Sequence, residues 1–338
     1  MIETNKNLKD LNTFMVPAVA RYFASATNND SLYRILASNE WSESEKHFVL
    51  GGGSNILFIN DYDGFVLKNE ISGIDIVSED NDSITVRVGA GVSWHDFVMW
   101  SVKHNYWGIE NLAYIPGTVG AAPVQNIGAY GVEAASVISS VEYVLLPDAE
   151  KKVLFNNECN FDYRNSIFKK NPEKYIITYV YITLQKKGKA MLNYGRVAES
   201  LTEKGIKNPT PQDIATIIID IRKSKLPKVG EVGMAGSFFK NPIISKKQLS
   251  EIQEKFPQVK YFDLENDMVK IPAGWILDEL GYRGFTSGNV GNYKNHALIV
   301  THNGNGTGVE VYKHVKNIIK KVHEVFSIDL EPEVNIVI

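Results

Sequence analysis

Five short stretches of this 338-residue chain combine residue types that can do chemistry. Gly51-Gly52-Gly53-Ser54-Asn55 follows the apolar run His47–Leu50 and precedes Ile56-Leu57-Phe58. Backbone N–H groups left unshielded by glycine can wrap a phosphate. The run is not G-x-G-x-x-G and leads into a strand pattern, so it fails the context of a dinucleotide fingerprint; alone it reads equally as a tight turn. A second loop runs Pro116-Gly117-Thr118-Val119-Gly120-Ala121-Ala122-Pro123 and continues through Gln125-Asn126-Ile127-Gly128-Ala129-Tyr130-Gly131. Glycine lets a backbone approach a ligand closely, and two such loops in one chain point to a large phosphorylated ligand. In Tyr163-Arg164-Asn165-Ser166 the guanidinium can fork onto a carboxylate or phosphate, although a lone Arg is usually a solvated charge. Ala235-Gly236-Ser237-Phe238-Phe239 sets a hydroxyl between a glycine and two aromatics, a candidate nucleophile or proton donor in a partly dry pocket. It lacks a G-x-S-x-G elbow and a His–Asp partnership, which weakens a hydrolase reading. Glu331 and Glu333 flank Pro332 and point the same way if the segment is a strand; one facing a cleft can stabilise or protonate an intermediate, while the bland reading is two solvated carboxylates.

The elements that must position these residues change along the chain. Ile74 and Ile76, then Ile84, Val86 and Val88, alternate with polar residues around the turn Glu79–Ser83, which predicts a hairpin with one buried face. Val141, Tyr143 and Leu145 repeat the pattern before Pro147-Asp148. Ser93, with Asp96 three residues on and Trp94, Phe97 and Val98 behind it, predicts a capped helix. Thr210-Pro211-Gln212-Asp213 opens another, with Ile214, Ile217, Ile218 and Ile221 as its stripe and Pro227 as its limit. Pro272–Gly281 reads as a helix closed by Gly281, and Thr307-Gly308-Val309-Glu310 as a capping box ahead of Val311, Val315, Ile318, Ile319 and Val322. Asn292-Tyr293-Lys294-Asn295-His296 is polar and reads either as a cleft lining or as a surface turn.

Composition narrows the class. With 44% hydrophobic and 22% charged residues the chain is an ordinary globular sequence, not a disordered one. Its 36 Lys+Arg against 39 Asp+Glu argue against a nucleic-acid coat. The single cysteine, Cys159, excludes an internal disulfide and a Cys-based zinc site, and no His cluster has ligand spacing, so no metal is expected. No apolar run approaches the ~20 residues needed to span a bilayer. A soluble, intracellular protein of about two domains is expected.

Taken in order, GGGSN, IPGTVGAAPVQNIGAYGVE, YRNSIFK, AGSFFKNP, IPAGWILDELGYRG and LEPEV resemble the UDP-N-acetylenolpyruvoylglucosamine reductase family, from Asn12-Thr13-Phe14 to the last few residues. The resemblance implies an α+β chain whose FAD-binding fold is built from two segments and is not a Rossmann fold. The first FAD-binding segment would span 1–70 together with the tail 327–338, and the second 71–220. A separate UDP-sugar domain would cover 221–326. The resemblance implies FAD held without a covalent link at Gly51–Asn55 and Pro116–Gly131, with NADPH as co-substrate. The implied reaction converts UDP-N-acetylglucosamine enolpyruvate to UDP-N-acetylmuramate in the cytoplasm of a bacterium. By matching motif positions, Arg164 would bind the substrate carboxylate, Glu333 would assist in protonated form, and Ser237 would donate the proton. Tyr163, next to the Arg, would contact the substrate or the flavin, and Lys225 would contact the diphosphate. Asn241 would face the nucleotide. Tyr194, in Leu192-Asn193-Tyr194-Gly195, marks the longer form of the family and would close on the UDP moiety. His296 stands where other members often have Gln. A monomer without nucleic-acid or membrane partners is implied. Two other readings stay open: a flavin oxidase of the same fold, and a non-catalytic UDP-sugar sensor that kept the scaffold.

Overall fold

The alternation at Ile84, Val86 and Val88 becomes the strand Ser83–Gly89, with those side chains fully buried. It pairs antiparallel with Ile74–Glu79 and with Tyr175–Gln185. The resulting five-stranded sheet runs Glu150–Phe155, Ile138–Leu145, Tyr175–Gln185, Ser83–Gly89, Ile74–Glu79. The expected hairpin is present, but only one of its strands is buried: Ile76 lies on the sheet edge and remains 47% exposed, since an edge strand has a neighbour on one side only. The computed structural model describes residues 1–192, 195–228 and 230–338; the expectation for Tyr194 lies outside the described residues.

A bulge lets this sheet serve two cores. Glu142 opposes Tyr179 while Tyr143 opposes Ile177, which leaves Thr178 as the extra residue. Val141, Tyr143, Val180 and Ile182 pack on one face with the helices Trp94–Lys103 and Pro211–Lys225. Val144 and Ile176 join Leu32, Trp41, Phe65 and Leu67 in a second cluster. That cluster belongs to a four-stranded sheet ordered Glu3–Asn7, Val19–Ala26, Tyr62–Asn69, His47–Leu50. The helices start where the capping chemistry placed them. The Asp96 N–H donates to Ser93 Oγ at 3.3 Å, and the Thr210 N–H donates to Asp213 Oδ2 at 2.9 Å.

These elements make up one compact unit, Met1–Lys6, Ala20–Gly53 and Asp63–Arg222. The second comprises Asn7–Val19, Ser54–Tyr62 and Lys223–Ile338. This division differs from the tripartite expectation in grouping Asn7–Val19 and Ser54–Tyr62 with Lys223–Ile338. Tail residues Asn335–Val337 run parallel to Ile56–Phe58, which lie within the 1–70 segment the tail was expected to join. Within the second unit an antiparallel sheet runs Gly233–Ser237, His296–His302, Val290–Tyr293, Thr286–Ser287. The helix Gly308–Phe326 buries Val311, Val315, Ile318 and Val322, and Thr307 and Glu310 cap it reciprocally. A smaller sheet of Ile243–Ser245, Met268–Lys270 and Phe262–Asp263 lies later in the chain than the candidate serine. The N-terminal motif docks here too: Thr13 Oγ1 donates to the Met234 carbonyl at 2.6 Å, and the Met234 N–H returns a bond to Thr13. Among the described residues no helix is long and apolar enough to cross a membrane.

Candidate active site

In the first unit the two glycine loops meet. A Cβ added to Gly52 would lie 2.8 Å from Gly117 Cα, and one on Gly51 would lie 2.8 Å from Thr118 Oγ1. The second loop is fixed from behind. The Val119 and Gly120 N–H groups donate to Val92 and Ala90 at 2.8 and 2.9 Å, and the Trp94 N–H donates to Gly117 at 3.0 Å. Ala90 in turn hangs on the carbonyl of the bulged Thr178 at 2.9 Å. The sheet irregularity therefore places the loop. Lys68 ends the buried run Phe65-Val66-Leu67 and donates its Nζ to the Gly51 carbonyl; burial pushes its pKa down. A glycine-walled seam with a desolvated ammonium beside it fits the pyrophosphate of a dinucleotide. Of the loop residues singled out from sequence, Gly51, Gly52, Gly117 and Thr118 are brought together, while Ser54 and Asn55 continue into the second unit.

The loop continues into a small hairpin in which Gly128–Ala129 pairs with Val132–Glu133. Its tip has two left-handed residues, Tyr130 at φ 49° and Gly131 at φ 82°, the arrangement a tight two-residue hairpin needs. Arg164 lies against this hairpin, with Nη2 donating to the Gly128 carbonyl at 2.8 Å. Its Cζ sits 5.3 Å from the centre of the Tyr163 ring. Arg164 is itself left-handed, at φ 53°, a conformation a long L side chain rarely adopts and which costs about 1–2 kcal/mol. Lys169 Nζ steadies it by donating to its carbonyl at 3.2 Å. Asn126, expected at the cofactor, is 1% exposed and spends its side chain on the protein instead. Gln125 is half-buried beside it.

The second unit carries the acidic and hydroxyl candidates, and here strand pairing joins the tail to the residues that follow Ser237. Ser237 ends the strand Gly233–Ser237 at an irregularity in its pairing with His296–His302, where Gly236 takes φ 71°. The chain then pairs with the tail. The Glu333 N–H donates to the Phe238 carbonyl at 2.8 Å, the Lys240 N–H donates to Glu331 at 2.9 Å, and Phe239 bridges to Pro332. Asn55 Nδ2 holds the Glu333 carbonyl at 3.2 Å. The Glu333 main chain is thus clamped on both sides, and its side chain is half-buried. Glu331 is exposed and ion-paired to Lys240. Phe238 and Phe239 are buried, but Ser237 is exposed, so the expected partly dry pocket around its hydroxyl is not formed by its aromatic neighbours, whose rings turn to the core.

Asn241, expected to face the nucleotide, accepts the Ala273 N–H at its Oδ1, at 2.9 Å. Pro272 precedes the helix Ala273–Glu279 and has no capping side chain, so Asn241 supplies the missing cap from a distance. Lys225 ends the helix Pro211–Lys225, and Asn295 Nδ2 reaches the neighbouring Ser224 carbonyl at 3.3 Å. That contact holds the strand start at His296, itself half-buried, beside the Lys225 end of the helix. Among the described residues no group of His, Cys, Asp or Glu forms a metal-binding cluster. Cys159 is buried, and burial pushes its thiol up to about 12, far from the reactive range.

Two cations escaped the sequence reading. Lys68 was signalled by a charge in a buried strand run. Arg222 follows Ile218 by four residues, a guanidinium on the apolar stripe of its helix. Its Nε donates to the Tyr114 carbonyl at 2.9 Å, and it shares a hydrogen bond with the Tyr130 side chain. Burial holds its pKa below the usual guanidinium value, with the two tyrosines opposing.

A family model for the C-terminal domain of UDP-N-acetylenolpyruvoylglucosamine reductase matches residues 227–337, and one for an FAD binding domain matches residues 20–153. The chain is 41% identical over 338 residues to the UDP-N-acetylenolpyruvoylglucosamine reductase of Flavobacterium johnsoniae, covering 99% of each. It is 37% identical to that of Pseudomonas aeruginosa over 335 residues, covering 99% of this chain and 98% of the relative. The crystal structure of the Thermus caldophilus UDP-N-acetylenolpyruvylglucosamine reductase shares the fold, with a TM-score of 0.66 at 24% identity over 99% of this chain and 98% of that one. By full-length similarity, this chain belongs to the UDP-N-acetylenolpyruvoylglucosamine reductase family.

Proposed function

We propose that the chain reduces UDP-N-acetylglucosamine enolpyruvate to UDP-N-acetylmuramate, a step of peptidoglycan synthesis, at the expense of NADPH. FAD, when bound, supplies the hydride chemistry, and the seam of Gly51, Gly52, Gly117 and Thr118 with Lys68 beside it would hold its pyrophosphate. The enolpyruvyl group is a conjugated alkene. It accepts hydride at its methylene carbon only if the negative charge driven onto its carboxylate is stabilised, a demand of several kcal/mol. Arg164 meets it with paired N–H donors on that carboxylate, helped by the Tyr163 ring against its guanidinium. Glu333, in its protonated form, donates a hydrogen bond to the same charge. Ser237 delivers the proton to the carbon next to the carboxylate. A hydroxyl is a weak acid in water, and it becomes competent only when held against a strongly basic carbanion. Lys225 takes the diphosphate as a point charge, with Asn241 and Tyr194 on the nucleotide side and His296 among the substrate contacts.

The observation that supports this best is the pairing of Phe238–Lys240 with Glu331–Glu333. It anchors the carboxylate's main chain to the residue directly after the proton donor, from a distant part of the sequence. A sensor needs no such pairing, and an oxidase has no use for a donor of this kind. Purified protein given NADPH and the enolpyruvyl sugar nucleotide should consume NADPH and yield a sugar nucleotide heavier by two hydrogen atoms. NADPH consumption without that product would refute the substrate. We also read the enzyme as a cytoplasmic monomer, which sedimentation would check.

A further inference from the structure

Arg164 is held in its left-handed conformation by groups outside its own turn. Its guanidinium rests on the hairpin: Nη2 bonds the Gly128 carbonyl, and a Cβ on Gly128 would meet Arg164 Nη1 at 3.1 Å and Glu133 Cγ at 3.0 Å. Guanidinium, hairpin floor and the Glu133 stem therefore lie against one another. Asn126 ties this assembly to the turn that carries Arg164. Its Nδ2 donates to Glu133 Oε2 at 2.8 Å and to the Asp162 carbonyl at 3.2 Å, and its Oδ1 accepts from the Ala135 N–H at 2.9 Å. Both amide protons are spent, one on the hairpin and one two residues before Arg164. The residue is buried and itself left-handed, at φ 44°.

We propose that Asn126 is a positioning residue for Arg164, joining the hairpin floor to the Arg164 turn and so fixing the angle at which the guanidinium meets a substrate carboxylate. The inference rests on the reading that Arg164 binds that carboxylate. It assigns Asn126 a different task from a contact to the cofactor, for which its side chain has no donor left. Displacement of an anchoring group by about 1 Å is enough to cost on the order of a hundredfold in rate.

The test uses the direction of the Asn126–Glu133 bond. Asn126→Asp keeps the shape but removes both donors and faces two acceptors, the Glu133 carboxylate and the Asp162 carbonyl. Glu133→Gln alone still accepts from Asn126 and should be nearly silent. In the double variant the introduced amide at 133 can donate to the introduced carboxylate at 126. Flavin content, bleaching by NADPH and anaerobic reoxidation by the enolpyruvyl sugar nucleotide are measured on each holoenzyme, with Arg164→Lys alongside. Asn126→Asp should keep its flavin and bleach within about twofold of the parent, yet reoxidise at least about tenfold more slowly. The double variant should recover some of that loss. If Asn126→Asp instead loses flavin while its loaded fraction reoxidises normally, Asn126 is a cofactor contact and the inference falls. If Asn126→Asp does not fold, the inference is read from Glu133→Ala, which removes one acceptor of Asn126: slowed reoxidation with normal bleaching upholds it, and an unchanged rate overturns it. Normal reoxidation by Arg164→Lys would overturn the carboxylate reading itself; slow Arg164→Lys with normal Asn126→Asp would overturn only the positioning role.

Discussion

Replacing Gly52 by Ala tests whether the two glycine loops form the cofactor seam. The new Cβ would lie 2.8 Å from Gly117 Cα and 3.3 Å from its carbonyl carbon. Carbon pairs settle near 3.5–4.0 Å, so the loops must part by roughly 0.7–1.2 Å. Both contacts are backbone, and no rotamer change relieves them. Overpacking of this kind costs about 1–3 kcal/mol. If the separation falls on the seam, FAD affinity should drop between roughly fivefold and a hundredfold, at about 1.4 kcal/mol per tenfold. Gly51→Ala is the internal comparison. Its Cβ also meets an atom at 2.8 Å, but that atom is the Thr118 hydroxyl, which can rotate away, so the loss should be smaller. The assay is a flavin fluorescence titration of each purified variant, with thermal unfolding to confirm that each is folded. FAD binding equal to the parent in Gly52→Ala, or a larger loss in Gly51→Ala, would show that these loops do not form the cofactor seam.

The remaining predictions concern both units. Ser237→Ala should leave flavin bleaching by NADPH unchanged and slow substrate reduction by about 10²–10⁴-fold, the usual worth of a positioned proton donor, as read by stopped-flow reoxidation. Asn241→Ala removes the cap of the Ala273–Glu279 helix and should lower stability by about 1 kcal/mol in denaturant unfolding. His302 and His314 are buried in the second unit and neutral. His302 donates through Nε2 to the Phe14 carbonyl and accepts the Gly304 N–H at Nδ1, and His314 bonds Asn292. Burial, the main cause, lowers both pKa values. The unfolded chain therefore takes up protons first as the pH falls below about 6.5. Stability is full above that value and declines as the pH falls below it, by at most about 1.4 kcal/mol per pH unit for each His. A melting temperature flat or rising over that window would contradict it.

Local chemistry was legible in the sequence; long-range pairing was not. Ser93, Thr210 and Thr307 each start a helix as their side chains dictate, because a cap involves neighbours three residues apart. The inward residues of Ser83–Gly89 were readable by alternation, but Ile76 was not, since the pattern does not say which strand will be the edge. No local signal couples Ile56–Phe58 to Asn335–Val337 or Phe238–Lys240 to Glu331–Glu333, yet these pairings decide which unit the tail joins and where Glu333 sits. The candidate residues were readable as types, and their tasks less so. Asn126 and Asn241 were expected at ligands, but an amide satisfies buried backbone equally well. The charges at Lys68 in a buried strand run and at Arg222 on an apolar stripe were overlooked signals that the sequence did contain.

Reduction of a UDP-linked enolpyruvyl group by this chain would draw its hydride chemistry from bound FAD and its proton from Ser237. The most direct measurement is an anaerobic spectrum of the purified protein, recorded before NADPH, after NADPH, and after adding UDP-N-acetylglucosamine enolpyruvate. An oxidised flavin spectrum that NADPH bleaches and the sugar nucleotide restores is predicted, with Ser237→Ala bleaching at the parent rate and recovering far more slowly. A bleached spectrum that the sugar nucleotide leaves unchanged, or a protein that takes up no FAD, would contradict the account.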